Sequence, residues 1–426
     1  MRTHSREERS AVRGVAVLLT GSVAAQGIPI LASFALSRLY PDTAFGLFTV
    51  FQSALTLLST VSTGRYEAAI LVPRSRRAAL KLAASCMGSS AVVSGTVLAT
   101  SIVAGSTIER MLDAPGFAAI APLLAPALLL SDMTAVATRW CNRDRRWSAM
   151  ASAQALGALV RATLSIAAGL VWQSAMAMVI ATIAGSIAAL MVTRPPLREA
   201  LSIAGVPARR QAAARMLGRH RRFPLYSMPA GILEAIARES VVVVMAVAFG
   251  TATVGMLGLA QRTVRMPVQA LSASMGQVFR QAAARRLAAG EGCRDLLLRT
   301  AGIQALLAAP VFGTFMLIGP DLFAVLFGEP WREAGVLARA LSPMCFLSFT
   351  VGTVSNVLML AGWQRFDFVN QAWLAPCAAG AAWLTARATS DASWTVAAYG
   401  AVYSAKYVVE FIACFMTCAP RRAARP

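Results

Sequence analysis

Apolar residues dominate this chain in long uninterrupted runs, and short polar stretches separate each run from the next. One run ends in Ser37-Arg38-Leu39-Tyr40, turns at Pro41-Asp42, and is followed by a second run from Ala44. Such runs reach the roughly 20 residues that a helix needs to cross the hydrocarbon core, whereas barrel strands would alternate apolar and polar positions. The pattern predicts an all-α integral membrane protein with twelve transmembrane helices. They are expected at residues 12–37, 44–72, 79–105, 117–141, 146–172, 174–193, 222–249, 252–279, 295–318, 333–360, 367–386 and 393–418.

The composition agrees with this interpretation. Hydrophobic residues make up 57% of the chain and charged residues 14%, and the mean hydropathy is +0.61. A soluble domain would carry about 25% charged residues. The formal net charge of +21 could indicate nucleic-acid binding. However, the basic residues are nearly all arginines in short clusters between apolar runs, so we expect no nucleic-acid partner.

The arginine clusters alternate along the chain, and this alternation predicts the orientation of the protein in the membrane. The chain start, the chain end and four of the five alternate connections are rich in arginine, as around Arg76, Arg145, Arg209, Arg285 and Arg421, and the fifth carries Arg365 alone. The intervening connections carry one arginine at most. Because basic loops stay on the cytoplasmic side, both termini are expected in the cytoplasm.

A basic stretch near the middle divides the predicted helices into two sets of six. We expect an N-terminal bundle at 1–193, a basic cytoplasmic linker at 194–221 and a C-terminal bundle at 222–426. The halves resemble repeats, since Pro126 and Pro343 each fall inside the fourth helix of their half. An even number of helices per half makes the repeats parallel, and transporters of this kind place their site between the halves. The sequence therefore favours a transporter with a central cavity.

Three motifs at the start of the chain carry a family resemblance. They are Ser37-Arg38-Leu39-Tyr40-Pro41, Phe45-Gly46-Leu47-Phe48 and Arg65-Tyr66-Glu67-Ala68-Ala69-Ile70. This hairpin resembles the opening of bacterial oligosaccharide-lipid flippases, the polysaccharide-transporter branch of the multidrug/oligosaccharidyl-lipid/polysaccharide exporter superfamily. The resemblance implies a flippase that moves an undecaprenyl-pyrophosphate-linked oligosaccharide across the bacterial inner membrane for O-antigen, capsule or exopolysaccharide synthesis. It also implies a polysaccharide polymerase and chain-length machinery as possible partners.

Motifs of enzymes and nucleotide-driven pumps are absent from the sequence. It contains no P-loop, no GxGxxG after a strand and no HExxH, and its histidines, His4 and His220, fall in predicted cytoplasmic segments. We therefore expect no enzyme activity, no metal and no cofactor. Transport would draw instead on a proton or sodium gradient.

Arginines inside the predicted helices are the candidate substrate contacts. Each costs about 2.5–3.5 kcal/mol at a helix centre, so each should face protein or water. Arg262 and Arg265 share one helix face and suit a pyrophosphate, whose oxygens accept forked donors, although each could instead pair with an acidic group. Arg238 or Arg65 could contribute from a facing helix. The resemblance favours a cavity-facing Arg65, and the alternative is that its side chain extends to the cytoplasmic interface.

Four intramembrane carboxylates are candidates for ion coupling, because burial favours a carboxylate that holds a proton or sodium ion. They are Glu67, Asp132, Glu234 and Glu239. The sequence does not choose among them. On one continuous helix, Glu67 would lie about 200° around from Arg65, so the two could not face the same cavity.

Two further pairs have the spacing of local ion pairs. Glu234 and Arg238 are separated by four residues, and so are Lys406 and Glu410. Residues at this spacing are neighbours on a helix surface. A local ion pair is therefore predicted at both places.

Three alternative functions remain at the sequence level. A multidrug cation exporter of the same superfamily would need a net negative cavity, whereas the intramembrane arginines, which are the four above and Arg161, outnumber the four carboxylates here. A peptidoglycan-precursor flippase usually carries two further helices. A membrane glycosyltransferase or polymerase would need large periplasmic loops, and the predicted loops are short. The sugar, the coupling ion and the oligomeric state are left open.

Overall fold

The computed structural model describes residues 27–71, 73, 75–194, 228–289, 291–360 and 363–419. Within these ranges the protein is helical and contains no strand, which confirms the predicted all-α class. Twelve helices of 13 residues or more in the described residues lie at the positions of the twelve predicted runs, while residues 12–26 of the first run and 222–227 of the seventh lie outside the described residues. They are α1 Gly27–Leu39, α2 Asp42–Ser62, α3 Arg76–Met111, α4 Phe117–Arg143, α5 Trp147–Gly169, α6 Ala175–Thr193, α7 228–249, α8 251–288, α9 Arg294–Phe327, α10 Arg332–Gly352, α11 Gln364–Thr389 and α12 Ala392–Thr417.

Eight helices of the described ranges are long and apolar enough to cross a membrane, the α7–α8 segment Met228–Arg265 being counted as one. The longest, α3, has 36 residues and spans about 54 Å at 1.5 Å per residue. It therefore extends well beyond the hydrocarbon core. Large apolar side chains such as Val103 (84% exposed) and Leu306 (77% exposed) cover the outer surface, as expected for helices that face lipid.

A single glycine separates α7 from α8. Gly250 adopts φ +80° and ψ 176°, a conformation that side chains with a Cβ rarely reach. The helical hydrogen bonding continues on both sides of this break. The boundary predicted between the seventh and eighth helices is thus found at Phe249-Gly250-Thr251.

The end of α2 differs from its prediction. A continuous helix was expected over 44–72, but α2 ends at Ser62, and Gly64 and Arg65 follow with φ +58° and +60°. Helical structure then resumes in a short helix, Tyr66–Ala69. The expectation that Arg65 and Glu67 point about 200° apart on one helix was therefore wrong, because two consecutive left-handed residues redirect the backbone between α2 and Glu67.

The helices form two compact units. The first unit comprises the described residues up to Ala235 together with Gly250–Gly255, and the second comprises Ile236–Phe249 and the described residues from Met256 onward. The linker predicted at 194–221 lies outside the described residues except for Arg194. The predicted division at 1–193 and 222–426 therefore stays a prediction.

Each unit contains a helix pair in close backbone contact. In the first unit α5 and α6 meet at Gly157 and Gly185, where a Cβ added to Gly185 would lie 2.6 Å from the Gly157 carbonyl oxygen. In the second unit α9 and α10 meet at Gly319 and Gly335, where a Cβ added to Gly319 would lie 2.9 Å from the Gly335 carbonyl oxygen. Small residues allow this approach, which is a main source of helix association in membranes.

Candidate functional site

A buried carboxylate lies in the interior of the first unit. Asp132, near the middle of α4, is 4% exposed. The Ser90 hydroxyl of α3 donates a hydrogen bond to Asp132 Oδ2 at 2.6 Å, and Ser62 at the end of α2, whose hydroxyl donates to the Ser59 carbonyl oxygen, lies near this carboxylate. Three helices that are distant in sequence therefore supply one polar cluster.

Glu67 lies beside this cluster. The Thr63 hydroxyl donates to Glu67 Oε2 at 2.5 Å, and the Glu67 charge is close enough to interact with both Asp132 and Cys86. Among the described side chains, no lysine or arginine forms an ion pair with Glu67 or Asp132. Two of the predicted ion-coupling carboxylates are therefore brought together, with hydroxyl groups as their direct partners.

Arg65 occupies a separate position in the first unit. Its guanidinium packs on the α carbon of Gly231 in α7, where an added Cβ would lie 2.8 Å from Arg65 Nε and 2.9 Å from Cζ. The buried Nε has no hydrogen-bond partner in the described structure. Gly231 thus creates the space for Arg65, while the predicted role of Arg65 in substrate binding stays a prediction.

Arg265 is the central basic residue of the second unit. Its guanidinium, on α8, lies against the Tyr399 hydroxyl of α12 and the Cys345 thiol of α10. The aromatic series continues along α12, with ring centroids 4.9 Å apart for Tyr399 and Tyr403 and 6.4 Å apart for Tyr403 and Tyr407. Among the described side chains, no carboxylate forms an ion pair with Arg265. The alternative of an acidic partner for Arg265 is therefore not met within this set, and neutral groups surround the guanidinium.

The remaining predicted site residues lie on α7 and α8. Arg262 is mostly buried one turn earlier on α8. Arg238 Nε pairs with Glu239 Oε1 at 3.2 Å, and the Tyr399 hydroxyl donates to the Arg238 carbonyl oxygen at 3.2 Å. Glu239, which had no predicted partner, therefore has one. Glu234 lies one turn before Arg238 on α7, and its predicted role stays a prediction.

The predicted pair on α12 is confirmed. Lys406 Nζ lies 2.5 Å from Glu410 Oε2, and the two residues are only 7% and 6% exposed. Lys406 also lies over the Tyr407 ring at 4.4 Å from its centroid. This buried pair neutralises itself within one helix.

Sequence reasoning missed the neutral partners of the buried charges. Ser62, Ser90, Cys345, Tyr399 and Tyr403 were not singled out, although the tyrosines at 399, 403 and 407 repeat every four residues and share a helix face. In the part of the chain that the structure describes, no three His, Cys, Asp or Glu side chains gather into a metal site.

Comparison with known proteins identifies the family. The chain matches the family described as "Polysaccharide biosynthesis protein" over residues 35–335, which is well over half of its length. The chain belongs to this family. The resemblance seen in the first hairpin is therefore confirmed, as is the assignment to membrane transport in polysaccharide biosynthesis. No curated protein matches the chain.

Solved structures show the same fold. An inward-facing multidrug resistance MATE family transporter of the MOP superfamily is similar with a TM-score of 0.66 and 17% identity, covering 97% of this chain and 100% of that chain. A MOP superfamily transporter from Pyrococcus furiosus has a TM-score of 0.64 and 16% identity, with 95% of each chain covered. An outward-facing MATE family transporter has a TM-score of 0.60 and 17% identity, again with 95% of each chain covered. The protein is therefore a multi-pass membrane protein with the MOP transporter fold.

Proposed function

We propose that this protein is a flippase that moves an undecaprenyl-pyrophosphate-linked oligosaccharide from the inner to the outer leaflet of a bacterial inner membrane. The product would feed the synthesis of O-antigen, capsule or exopolysaccharide. The family supports a role in polysaccharide synthesis, and the fold supports transport without chemical change of the substrate. The alternation of arginine clusters favours a cytoplasmic position for both termini.

The environment of Arg265 carries this proposal. A guanidinium within a membrane helix is costly unless an anion completes its charge balance. The Arg265 guanidinium lies against the neutral Tyr399 and Cys345 side chains, and no carboxylate among the described side chains forms an ion pair with it. An anionic ligand would complete this balance. A pyrophosphate fits well, since its oxygens accept the parallel donors of a guanidinium.

The remaining arginines have subsidiary roles in the proposal. Arg262 lies three residues earlier on the same face of α8, so it can bind the same pyrophosphate. Arg238 contributes positive charge within the second unit, although Glu239 partly compensates it. Arg65, in the first unit, is a second possible contact. Transport is driven by an ion gradient, and Glu67, Asp132, Glu234 and Glu239 are the candidate coupling carboxylates.

A multidrug exporter is the main alternative, since similar structures include multidrug resistance MATE family transporters. An exporter of cations would need acidic groups where the substrate lies. The similar transporter from Pyrococcus furiosus is described as having a binding pocket of reverse polarity, which suggests a different function for that protein. A basic site such as that around Arg265 favours an anionic substrate.

The test is the substitution Arg265→Ala in protein reconstituted into vesicles with a pyrophosphate-linked oligosaccharide lipid. A charge-assisted hydrogen bond contributes about 1.5–3 kcal/mol, so flipping and substrate binding should fall tenfold or more. Arg265→Lys should retain more flipping than Arg265→Ala but less than the wild type, because an ammonium keeps the charge but lacks the two parallel N–H donors of a guanidinium. The matched control is Arg339→Ala on α10 of the same unit, whose guanidinium is exposed and donates to the Leu317 carbonyl oxygen.

The same variants should be compared in a flippase-null strain, with surface polysaccharide as the readout and membrane protein levels checked by blot. Normal polysaccharide from Arg265→Ala at normal protein level would contradict the assigned site. A wild-type protein that exports organic cations but flips no pyrophosphate-linked lipid would overturn the proposed function in favour of the multidrug alternative.

A further inference from the structure

Among the described side chains, no lysine or arginine forms an ion pair with the buried cluster around Asp132. Asp132 is almost fully buried, and Glu67 adds a second carboxylate beside it. Elsewhere in the described residues, Glu410 pairs with Lys406 and Glu239 pairs with Arg238, so these carboxylates have basic partners. A buried ionised carboxylate without such a partner costs several kcal/mol. Binding of a proton or another cation would remove this cost.

The hydroxyl groups around Asp132 are arranged to serve both states of the carboxyl group. The Ser90 hydroxyl donates to the carboxylate in the observed state, and Ser62 lies near it. A serine oxygen can also accept a hydrogen bond from a protonated carboxyl group. Ser90 can therefore serve the ionised group as a donor and the protonated group as an acceptor.

We propose that Asp132 is the proton-binding site of the transporter, with Glu67 as the neighbouring charge that helps to retain the proton. This inference rests on the proposed gradient-driven flippase and assigns its coupling ion and residue. The step is a reversible protonation in which one proton joins a carboxylate oxygen and no other bond changes. It removes one negative charge from the interior of the first unit.

The helices around α4 contribute few other ionisable groups. Cys86 faces the cluster from α3, and Tyr66 and Glu67 face it from the short helix after α2. α6 carries no ionisable residue between Ala175 and Thr193, and α5 carries Arg161, whose Cβ packs near Gly185 of α6. A proton needs one carboxylate oxygen and one acceptor, whereas a hard metal cation needs a full shell of oxygens. The proton is therefore the better fit.

The first test is infrared difference spectroscopy of the purified full-length protein in lipid nanodiscs as the pH is changed. The wild type should show the carbonyl stretch of a buried protonated carboxyl group, and Asp132→Asn should lose it. Glu67→Gln should move the pH midpoint of that band, because it removes the neighbouring negative charge. Asp144→Asn, at the exposed end of the same helix, should keep the wild-type band.

Serine substitutions provide a matched pair for the hydrogen bond itself. Ser90→Ala removes the donor to Asp132 and should shift the band, since the carbonyl stretch depends on hydrogen bonding. Ser89→Ala serves as the control, because the Ser89 hydroxyl bonds to the Cys86 carbonyl oxygen of its own helix. A band that persists in Asp132→Asn, or that changes equally in both serine variants, would overturn the assignment.

The second test compares flipping with and without a pH gradient in vesicles that contain no sodium. The wild type should flip faster with the gradient, and Asp144→Asn should respond as the wild type does. Asp132→Asn should flip at the same rate with and without the gradient. A response to sodium at constant pH, without a response to the gradient, would refute proton coupling. If the wild type flips no lipid, the flippase proposal fails, while the infrared band still decides whether Asp132 binds a proton.

Discussion

Each of the two units of this protein holds one charged side chain among neutral groups, and the two charges have opposite signs. In the first unit, the Asp132 carboxylate is held by hydroxyl groups and has no basic partner among the described side chains. In the second unit, the Arg265 guanidinium is held by a tyrosine and a thiol and has no acidic partner among them. The same second unit also contains the Lys406–Glu410 ion pair, in which each side chain neutralises the charge of the other.

This difference separates charges that can bind a ligand from charges that stabilise the fold. A buried ion pair is already neutral, so a further ion gains little by approaching it. A single buried charge held by neutral groups keeps an unsatisfied preference for an opposite charge. Asp132 is therefore suited to a proton and Arg265 to an anion, whereas Lys406 and Glu410 are suited to a structural role.

The largest expected effect comes from breaking the complete pair. Lys406→Met leaves Glu410 buried without a partner and should destabilise the protein by about 3–5 kcal/mol. The double variant Lys406→Met/Glu410→Leu should recover most of this loss, since two apolar groups carry no unpaired charge. Thermal unfolding of the purified protein in detergent measures both. A double variant less stable than the single one would show that the pair is needed for more than mutual neutralisation.

An intermediate effect is expected at the contact between Arg65 and Gly231. Gly231→Ala places a methyl group where the guanidinium packs, and such overpacking costs about 1–3 kcal/mol unless the side chain moves. The rate of flipping by Gly231→Ala should fall as it does in Arg65→Ala. The double variant Arg65→Ala/Gly231→Ala should flip no more slowly than Arg65→Ala alone. Gly88→Ala on α3, with open space at its Cβ, is the control and should behave as the wild type. Additive losses in the double variant would mean that Gly231 acts independently of Arg65.

The smallest effect is expected at an exposed carboxylate, which provides a reference for the buried ones. Asp391 caps α12 by accepting hydrogen bonds from the Ser393 hydroxyl and backbone amide, and these bonds hold the pKa of Asp391 below its usual value. Because the folded-state pKa is lowered, the cap stabilises the protein at neutral pH and loses this contribution as the pH falls through that pKa. Asp391→Ala should lower the melting temperature slightly at pH 7, and the difference from wild type should disappear in acid. A difference independent of pH would contradict this cause.

Local sequence patterns determined most of the architecture. The apolar runs specified the twelve helices because a segment within a membrane must satisfy its own backbone hydrogen bonds. The break at Gly250 and the Lys406–Glu410 pair were also predictable, since each depends on residues within four positions of one another. The family motifs in the first hairpin indicated polysaccharide transport from the residues alone.

The tertiary structure alone decided which buried charges have an oppositely charged partner within the protein. Ser90 lies 42 residues from Asp132, and Tyr399 lies far along the chain from Arg265, so no periodicity relates these partners. The same is true of Arg65 and Gly231, whose contact also requires the left-handed turn that ends α2 before the predicted boundary. A charge within a membrane helix is visible in the sequence, but its partners come from other helices. Only packing therefore determines whether that charge is neutralised by the protein or left for a ligand.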